Sequence, residues 1–286
     1  MKVFLTGATG MLGTSCNALF TSKGVEVKTL NREEIWNLAD LSFDPDLKSG
    51  QAFIHTAANT NVEQCELEPD ACYRDNYLLT EGLARVCAMI KVPMIFISST
   101  GVYGESHNEP YREYSQANPT THHHRSKLLG EQAVLSASQE NIVIRTGWLF
   151  GGNFANPKNF VARRLEDASK AAANGVPLFS NSEQRGCPTY TLDVATRLFM
   201  LITGGHRGLF NVVNEGGASR LDYVRAIVAS AGLSIPVMAS PADTFKRQAK
   251  VSSNEMAANW RAAQLGFSSM PHWKQRLNEY ILENIK

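Results

Sequence analysis

The chain begins with a short apolar run, Val3-Phe4-Leu5, that turns at once into Thr6-Gly7-Ala8-Thr9-Gly10-Met11-Leu12-Gly13. This is a first strand feeding a G-x-x-G-x-x-G loop, with helix-like sequence over residues 11–22 behind it. Only glycine lets a backbone turn this sharply and lie against a ligand. The helix that follows starts with unpaired N–H groups and the positive end of its dipole. A glycine triplet alone says little. Placed after a first strand, with a second strand over 25–30, it predicts a dinucleotide-binding unit. The pyrophosphate then rests along Gly7, Thr9, Gly10, Met11 and Leu12.

Strand and helix signals alternate through the first half. A strand over 52–55 ends in the small-residue turn Thr56-Ala57-Ala58-Asn59. Pro69 can start a helix, and Leu79, Leu83, Val86, Cys87 and Ile90 recur at helical spacing. A buried strand over 94–98 stops at Ser98-Ser99-Thr100-Gly101, and a helix over 121–136 precedes a fifth strand over 142–145. Strands separated by helices pair in parallel through right-handed crossovers, which predicts an α/β fold with a doubly wound parallel Rossmann sheet. After Gly151 the rhythm changes: helices are expected over 160–174, 192–202, 221–231 and 272–284, a strand over 208–213, and irregular chain over 177–188. The expected organisation is a nucleotide-binding domain over 1–150 and a smaller, interleaved substrate lobe over 151–286, with about 189–213 returning to the main sheet.

Charge and cysteine content narrow the class. Lys and Arg total 28 against 27 Asp and Glu, and they are spread out, so neither nucleic acid nor an anionic membrane is an expected partner. No stretch approaches the ~20 apolar residues of a membrane span, and the first residues lack the charged and apolar regions of a secretory signal. Cys16, Cys65, Cys72, Cys87 and Cys187 are odd in number and form no C-x-x-C pair, which reads as a reduced, cytoplasmic protein.

Two places suit hydride transfer to a carbonyl. Ser99 follows the fourth strand, where ligands bind in such sheets. In Pro119-Thr120-Thr121-His122-His123-His124-Arg125-Ser126-Lys127, His123 and Lys127 are four apart and share one helix face. At the end of the second strand the chain reads Thr29-Leu30-Asn31-Arg32, with no carboxylate before Glu33. An acidic residue there suits the ribose of NAD, whereas Arg32 suits the 2′-phosphate of NADP. NADP(H) is therefore the preferred cofactor, with NAD(H) left open.

Over nearly its whole length the chain resembles the extended short-chain dehydrogenase/reductases, and within them the dTDP-4-dehydrorhamnose reductases. The resemblance rests on the glycine loop, on His55-Thr56-Ala57-Ala58 and on Ser98-Ser99-Thr100-Gly101-Val102-Tyr103-Gly104. It continues through Arg145-Thr146-Gly147-Trp148-Leu149-Phe150-Gly151, Gln184-Arg185-Gly186-Cys187-Pro188-Thr189-Tyr190-Thr191-Leu192-Asp193 and Pro271-His272-Trp273. It implies a catalytic Ser/Thr, Tyr and Lys, the last two in a Y-x-x-x-K frame. Ser99 matches the first and Lys127 the last. Pro119 and the Lys-x-x-Gly-Glu ending at Glu131 set the frame, and His123 then stands at the tyrosine position. The resemblance also implies adenine contacts at Asp40 and Leu41, and Ala57, Ala58 and Asn59 along the middle of the dinucleotide. It puts Thr100, Gly101, Val102 and Trp148 beside the nicotinamide. In the smaller lobe, Arg185 and Tyr190, with Asn153, Arg163 and Arg164, are the candidates for a nucleotide-sugar pyrophosphate or base.

The histidine changes the chemistry at one atom. A phenol of pKa about 10 is lowered toward working pH by a neighbouring ammonium, whereas an imidazole near about 6.5 is pushed further down. His123 is then mostly neutral, acting as an N–H donor to a carbonyl rather than as an imidazolium acid. The expected activity is NADP(H)-dependent reduction of a 4-keto-6-deoxy nucleotide sugar, by His123 or by another acid or water. The alternatives are a non-catalytic NADP-binding regulatory or scaffold protein, and a nucleotide-sugar epimerase. His122 and His124 are expected to be solvated. Consecutive helical residues diverge by about 100°, so the triplet cannot chelate one ion by itself and no metal is expected. A homodimer is left open by the sequence.

Overall fold

Six parallel strands form the centre of the computed structural model, which describes residues 1–40, 45–106, 108–240 and 247–285. The first half supplies β1 (Lys2–Thr6), α1 (Met11–Ser22), β2 (Glu26–Leu30), α2 (Arg32–Ala39), β3 (Ala52–His55), α3 (Val62–Leu67) and α4 (Pro69–Tyr73). It continues with α5 (Leu79–Ile90), β4 (Met94–Ser99), α6 (His122–Ala137) and β5 (Ile142–Thr146). The second half adds β6 (Trp148–Phe150), α7 (Phe160–Ala173), β7 (Leu178–Asn181), β8 (Arg185–Gly186), β9 (Pro188–Tyr190) and α8 (Thr191–Thr203). It ends with β10 (Gly208–Val212), β11 (Ala218–Ser219), α9 (Arg220–Ser230), β12 (Val237–Ser240), α10 (Trp260–Gln264) and α11 (Trp273–Asn284).

The main sheet runs β2-β1-β3-β4-β5-β10, every neighbour parallel. Its inner strands are apolar at nearly every position because helices cover both faces. Alternate residues serve the two sides. Val3, Leu5, Ile54, Ile95 and Ile144 pack with α1 and α8, while Phe4, Phe53, Met94, Phe96 and Val143 pack with α2, α5 and α6. Because β2 lies on one side of β1 and β3 on the other, the strand order reverses at the carboxyl ends of β1 and β3. Such a switch point leaves a crevice for a ligand. β10 joins the sheet beside β5 after the chain has left it, so the two parts of the molecule interleave.

The glycine loop is shaped by contact as well as by torsion. Gly7 has φ +69°, and a Cβ there would lie 2.7 Å from the Ala57 backbone nitrogen. A Cβ on Gly13 would sit 2.1 Å from the Gly7 carbonyl oxygen, so α1 packs directly onto the loop.

Two segments differ from the sequence expectation. The helix beginning at Pro69 breaks into α4, a π-turn over Arg74–Leu78 and then α5. Residues 177–188, expected to be irregular, contain β7 and β8, which pair with β12 and β11. Their partners lie far along the chain, so no local pattern announces them.

Candidate active site

The nucleotide end of the crevice is built from backbone. α1 starts at Gly10 without a side-chain cap, leaving its first-turn N–H groups without a capping oxygen. Thr9 and Gly10 are exposed and Met11 half-buried, whereas the Leu12 side chain is buried in the core, so Leu12 offers a ligand only backbone. The ends of β1 and β3 are fastened together. Thr56 Oγ1 donates to the Thr6 carbonyl at 2.7 Å, Ala57 N donates to Thr6 Oγ1 at 3.2 Å, and Thr6 Oγ1 lies 2.8 Å from His55 Nδ1. Arg32 opens α2, its guanidinium exposed and 3.5 Å from Asp75 Oδ2. Glu34, the nearby acid, is occupied in a capping box with Asn31. Asp40 is exposed at the end of α2; Leu41 lies outside the described residues.

The half-buried Ala57, Ala58 and Asn59 follow β3, and Asn59 is held by Asn76 from the π-turn. Asn59 N donates to Asn76 Oδ1 at 2.8 Å, and Asn76 Nδ2 donates to the Asn59 carbonyl at 3.1 Å. A backbone N–H can only donate and a carbonyl only accept, so these two bonds fix the amide's orientation. Asn76 Nδ2 then faces His123 Nδ1 at 3.4 Å. A ring with its proton on Nε2 can accept from this amide at Nδ1, and the Asn59 carbonyl stands close enough to take a ring N–H.

The reacting end is made by α6 lying on β4. Thr121 caps α6, its hydroxyl accepting from His124 N. The Lys127 ammonium sits 4.1 Å from the centroid of the Phe96 ring, and Ser98 Oγ donates to Glu131 Oε1 at 2.5 Å. Glu131 is also paired with Arg145 of β5 through three bonds of 2.6–3.1 Å, both side chains buried. This locks helix to sheet and brings Lys127 beside the strand that ends at Ser99. Ser99 is half-buried and its Oγ accepts from Gly101 N at 3.1 Å. Thr100 is buried and its hydroxyl has no partner among the described residues, and Val102 is fully buried, so its side chain belongs to the interior. The Gly101 Cα faces the His124 ring, where a Cβ would come within 2.2 Å.

Burial governs the electrostatics. It lowers the Lys127 ammonium to about 7, partly opposed by the charge of Glu131. It also drives His123 well below the ordinary histidine value, reinforced by His124 and Lys127. His124 departs from the expectation of a solvated residue: it is 5 % exposed, closed in by Gly101 and Thr121, and burial lowers its pKa as well. His122 is half-buried, its Nδ1 3.3 Å from the Tyr73 hydroxyl. His123 has company that spacing does not reveal, since Cys65 and Cys72 are close enough for all three to contribute ligand atoms within 4.8 Å of one another.

A cavity of about 780 Å³ is lined by residues of the second half of the chain and by Glu105 of the first. Five cationic side chains line it (Arg163, Arg164, Arg220, Arg247 and Lys250) against two acids, Glu105 and Glu183, with Phe160 and Phe179 as apolar wall. Ser252 Oγ donates to the Gly104 carbonyl and Ser253 N to Glu105 Oε1, both at 2.8 Å, which ties the cavity to the loop after Ser99. Trp148 is 9 % exposed, covered on one face by Arg220 and donating from Nε1 to Glu255 Oε2. Arg185 does not line the cavity. Successive strand residues point to opposite faces, so Gln184 and Gly186 turn inward while Arg185 is exposed. Tyr190 is likewise outside the lining, stacked with Phe150 at 5.5 Å and near Tyr280 at 5.9 Å.

Residues 1–285 of the 286 match the family model described as the RmlD substrate binding domain. The chain belongs to this family. Within it, the dTDP-4-dehydrorhamnose reductase of Mycolicibacterium smegmatis is 31% identical over 286 residues, spanning 98% of this chain and 85% of the relative. The crystal structure of a dTDP-4-dehydrorhamnose reductase from Clostridium acetobutylicum superposes with a TM-score of 0.91 at 27% identity, covering 99% of each chain. A Bacillus anthracis dTDP-4-dehydrorhamnose reductase, solved in complex with NADP, shares the fold with a TM-score of 0.89 at 23% identity, again over 99% of each chain. No helix among the described residues is long and apolar enough to cross a membrane.

The residues that sequence reasoning missed are Asn76, Arg220, Arg247, Lys250 and Glu255. Only Asn76 left a signal, an amide placed inside a helical run where it has no local use. The others come from segments with no motif and meet the site through tertiary folding.

Proposed function

We propose that this RmlD-family protein is an NADPH-dependent reductase of the keto group of a 4-keto-6-deoxy nucleotide sugar. The observation that carries the reading is α6, with His123 and Lys127, packed on the strand that ends at Ser99, together with a cation-rich cavity tied to the loop after Ser99. The glycine cradle and the open first turn of α1 fit a pyrophosphate, and the exposed Arg32 with no acid at the end of β2 fits a 2′-phosphate. The NADP complex of the Bacillus anthracis relative supports the same cofactor.

Bound NADPH supplies the hydride; the chain's own residues handle orientation and charge. Lys127 holds the nicotinamide ribose. The Ser99 hydroxyl donates a hydrogen bond to the keto oxygen, neutral His123, protonated on Nε2, donates another as negative charge develops there, and water supplies the proton that completes the alcohol. Arg220, with Arg163, Arg164, Arg247 and Lys250, binds the diphosphate. Residues 1–150 together with about 189–213 make up the cofactor domain in this reading, and the rest of 151–286 the substrate lobe.

The test is NADPH oxidation by purified protein with a panel of 4-keto nucleotide sugars. Turnover of the nucleotide form and not of the free sugar is the expected result. One observation favours a second reading: the proton donor's position holds a neutral imidazole instead of a phenol. Tight NADPH binding with no turnover on any member of the panel would select that reading, a cofactor-binding regulatory protein.

A further inference from the structure

Five cysteines are buried and unbridged, and they fall into two kinds. Cys16, Cys87 and Cys187 sit within apolar clusters, the ordinary fate of a free thiol. Cys65 of α3 and Cys72 of α4 belong to none of those clusters, although neither is exposed at all. They face His123 at the start of α6, and the three ligand atoms lie within 4.8 Å of one another.

The polar surroundings are rich in lone pairs. Asn76 Nδ2 lies 3.1 Å from the Asn59 carbonyl, 3.2 Å from Ser126 Oγ, 3.4 Å from His123 Nδ1 and 3.6 Å from Cys72 Sγ. A side-chain amide nitrogen has two hydrogens for these four acceptors. Ser126 spends its own hydrogen on the His123 carbonyl at 2.7 Å. The Cys72 thiol hydrogen can serve Ser126 Oγ at 3.4 Å, so the balance holds while the thiols keep their protons. Once they ionise, lone pairs converge where Nδ1 and a sulfur meet, and a cation answers them.

We propose that Cys65, Cys72 and His123 bind one zinc ion. Two thiolates neutralise the dication, which a buried site requires, and the imidazole gives a third ligand of matching softness. Tetrahedral ligands at 2.0–2.3 Å from one centre are about 3.3–3.8 Å apart, and three atoms already within 4.8 Å of one another reach that spacing by small side-chain rotations. The fourth position is taken by water or by Ser126 Oγ, which stands 3.4 Å from Cys72 Sγ. On binding, each thiol gives up its proton to solvent and two Zn–S bonds form, so no oxidant is needed. Ligation through Nδ1 leaves the proton on Nε2, the nitrogen assigned above to the keto oxygen. The ion would therefore steady the residue standing in for the family's tyrosine. Zinc binding itself is independent of the proposed reduction and is measured without turnover.

The test uses reduced, full-length protein. Elemental analysis after zinc loading should give one ion per chain. Cobalt substitution should produce a thiolate-to-cobalt charge-transfer band and the intense visible absorption of a tetrahedral site. Cys65→Ser and Cys72→Ser should each weaken zinc binding by more than the about 100-fold typical of losing an outer-shell partner. Cys187→Ser should leave it unchanged. Should the variants fail to fold, thiol titration of the wild type under denaturant-free conditions decides: zinc should slow the reaction of Cys65 and Cys72, identified by peptide mapping, and of no other cysteine. Absence of the charge-transfer band, zinc binding that survives both serine substitutions, or unaltered reactivity of the two thiols would each overturn the proposal.

Discussion

Arg220 lays its guanidinium 3.5 Å from the centroid of the Trp148 ring, while Trp148 Nε1 donates to Glu255 Oε2 at 2.6 Å. The indole is thus held edge and face, and the cation is pre-oriented on the cavity wall. Burial lowers Arg220 only to about 10, so it remains charged at neutral pH. A guanidinium fixed in this way forms charge-assisted bonds to a diphosphate with little further loss of side-chain freedom.

Arg220→Ala should therefore weaken binding of a nucleoside diphosphate by about 10- to 100-fold, the equivalent of one or two charge-assisted hydrogen bonds. NADPH affinity should be unchanged. Arg185→Ala should have little effect on either, since that side chain faces away from the cavity. Calorimetric titration of both ligands checks this. A larger loss from Arg185→Ala than from Arg220→Ala would reverse the assignment.

Cofactor choice should depend on Arg32. Wild type is expected to bind NADPH more tightly than NADH, and Arg32→Ala should erase about 10-fold or more of that difference by removing one charge-assisted contact. NADH affinity itself should hardly change. Fluorescence titration with both cofactors measures it, and equal affinities in the wild type would remove the basis for an NADP site.

At His123, alanine should lower kcat by about 10²–10⁴, the usual contribution of one positioned proton donor. The glycine loop and Lys127 are untouched, so the Kd for NADPH should stay where it is. His123→Tyr should restore or raise turnover. If wild type is inactive on every 4-keto nucleotide sugar and His123→Tyr is active, His123 is not a working donor in the natural protein.

Acid should destabilise the protein partly through His55. Burial, and then the Lys127 charge, lowers His55 to about 3, and its Nε2 has no partner among the described residues. An imidazole in the unfolded chain titrates near about 6.5. Between these values the unfolded state takes up a proton that the folded state refuses. Stability from this group is therefore complete above about pH 6.5 and lost as pH falls toward about 3, by up to about 1.4 kcal/mol per pH unit. His55→Asn should lower stability at neutral pH yet show a shallower further loss on acidification. Urea denaturation at about pH 7 and about pH 4.5 compares the slopes; identical slopes would mean that His55 does not carry the effect.

The chain's local patterns were enough for the Rossmann architecture, the glycine loop and the placing of His123 and Lys127 on one helix. Each is encoded over a few residues: strand periodicity, backbone freedom at Gly7, and a four-residue helical spacing. Expected elements such as residues 52–55 and 11–22 coincide with β3 and α1 for that reason. The cation-lined cavity was not legible, because Arg220, Arg247 and Lys250 carry no motif and converge through pairings between distant segments such as β8 with β11 and β7 with β12. The same applies to the ring around His123. From sequence, the histidine triplet was three side chains diverging around a helix. Only the packing of α3, α4 and the π-turn against α6 sets Cys65, Cys72 and Asn76 against one of them. Local torsional preference settles which elements form; which side chains share a buried space depends on how those elements pack, and that is where the surroundings of His123 were decided.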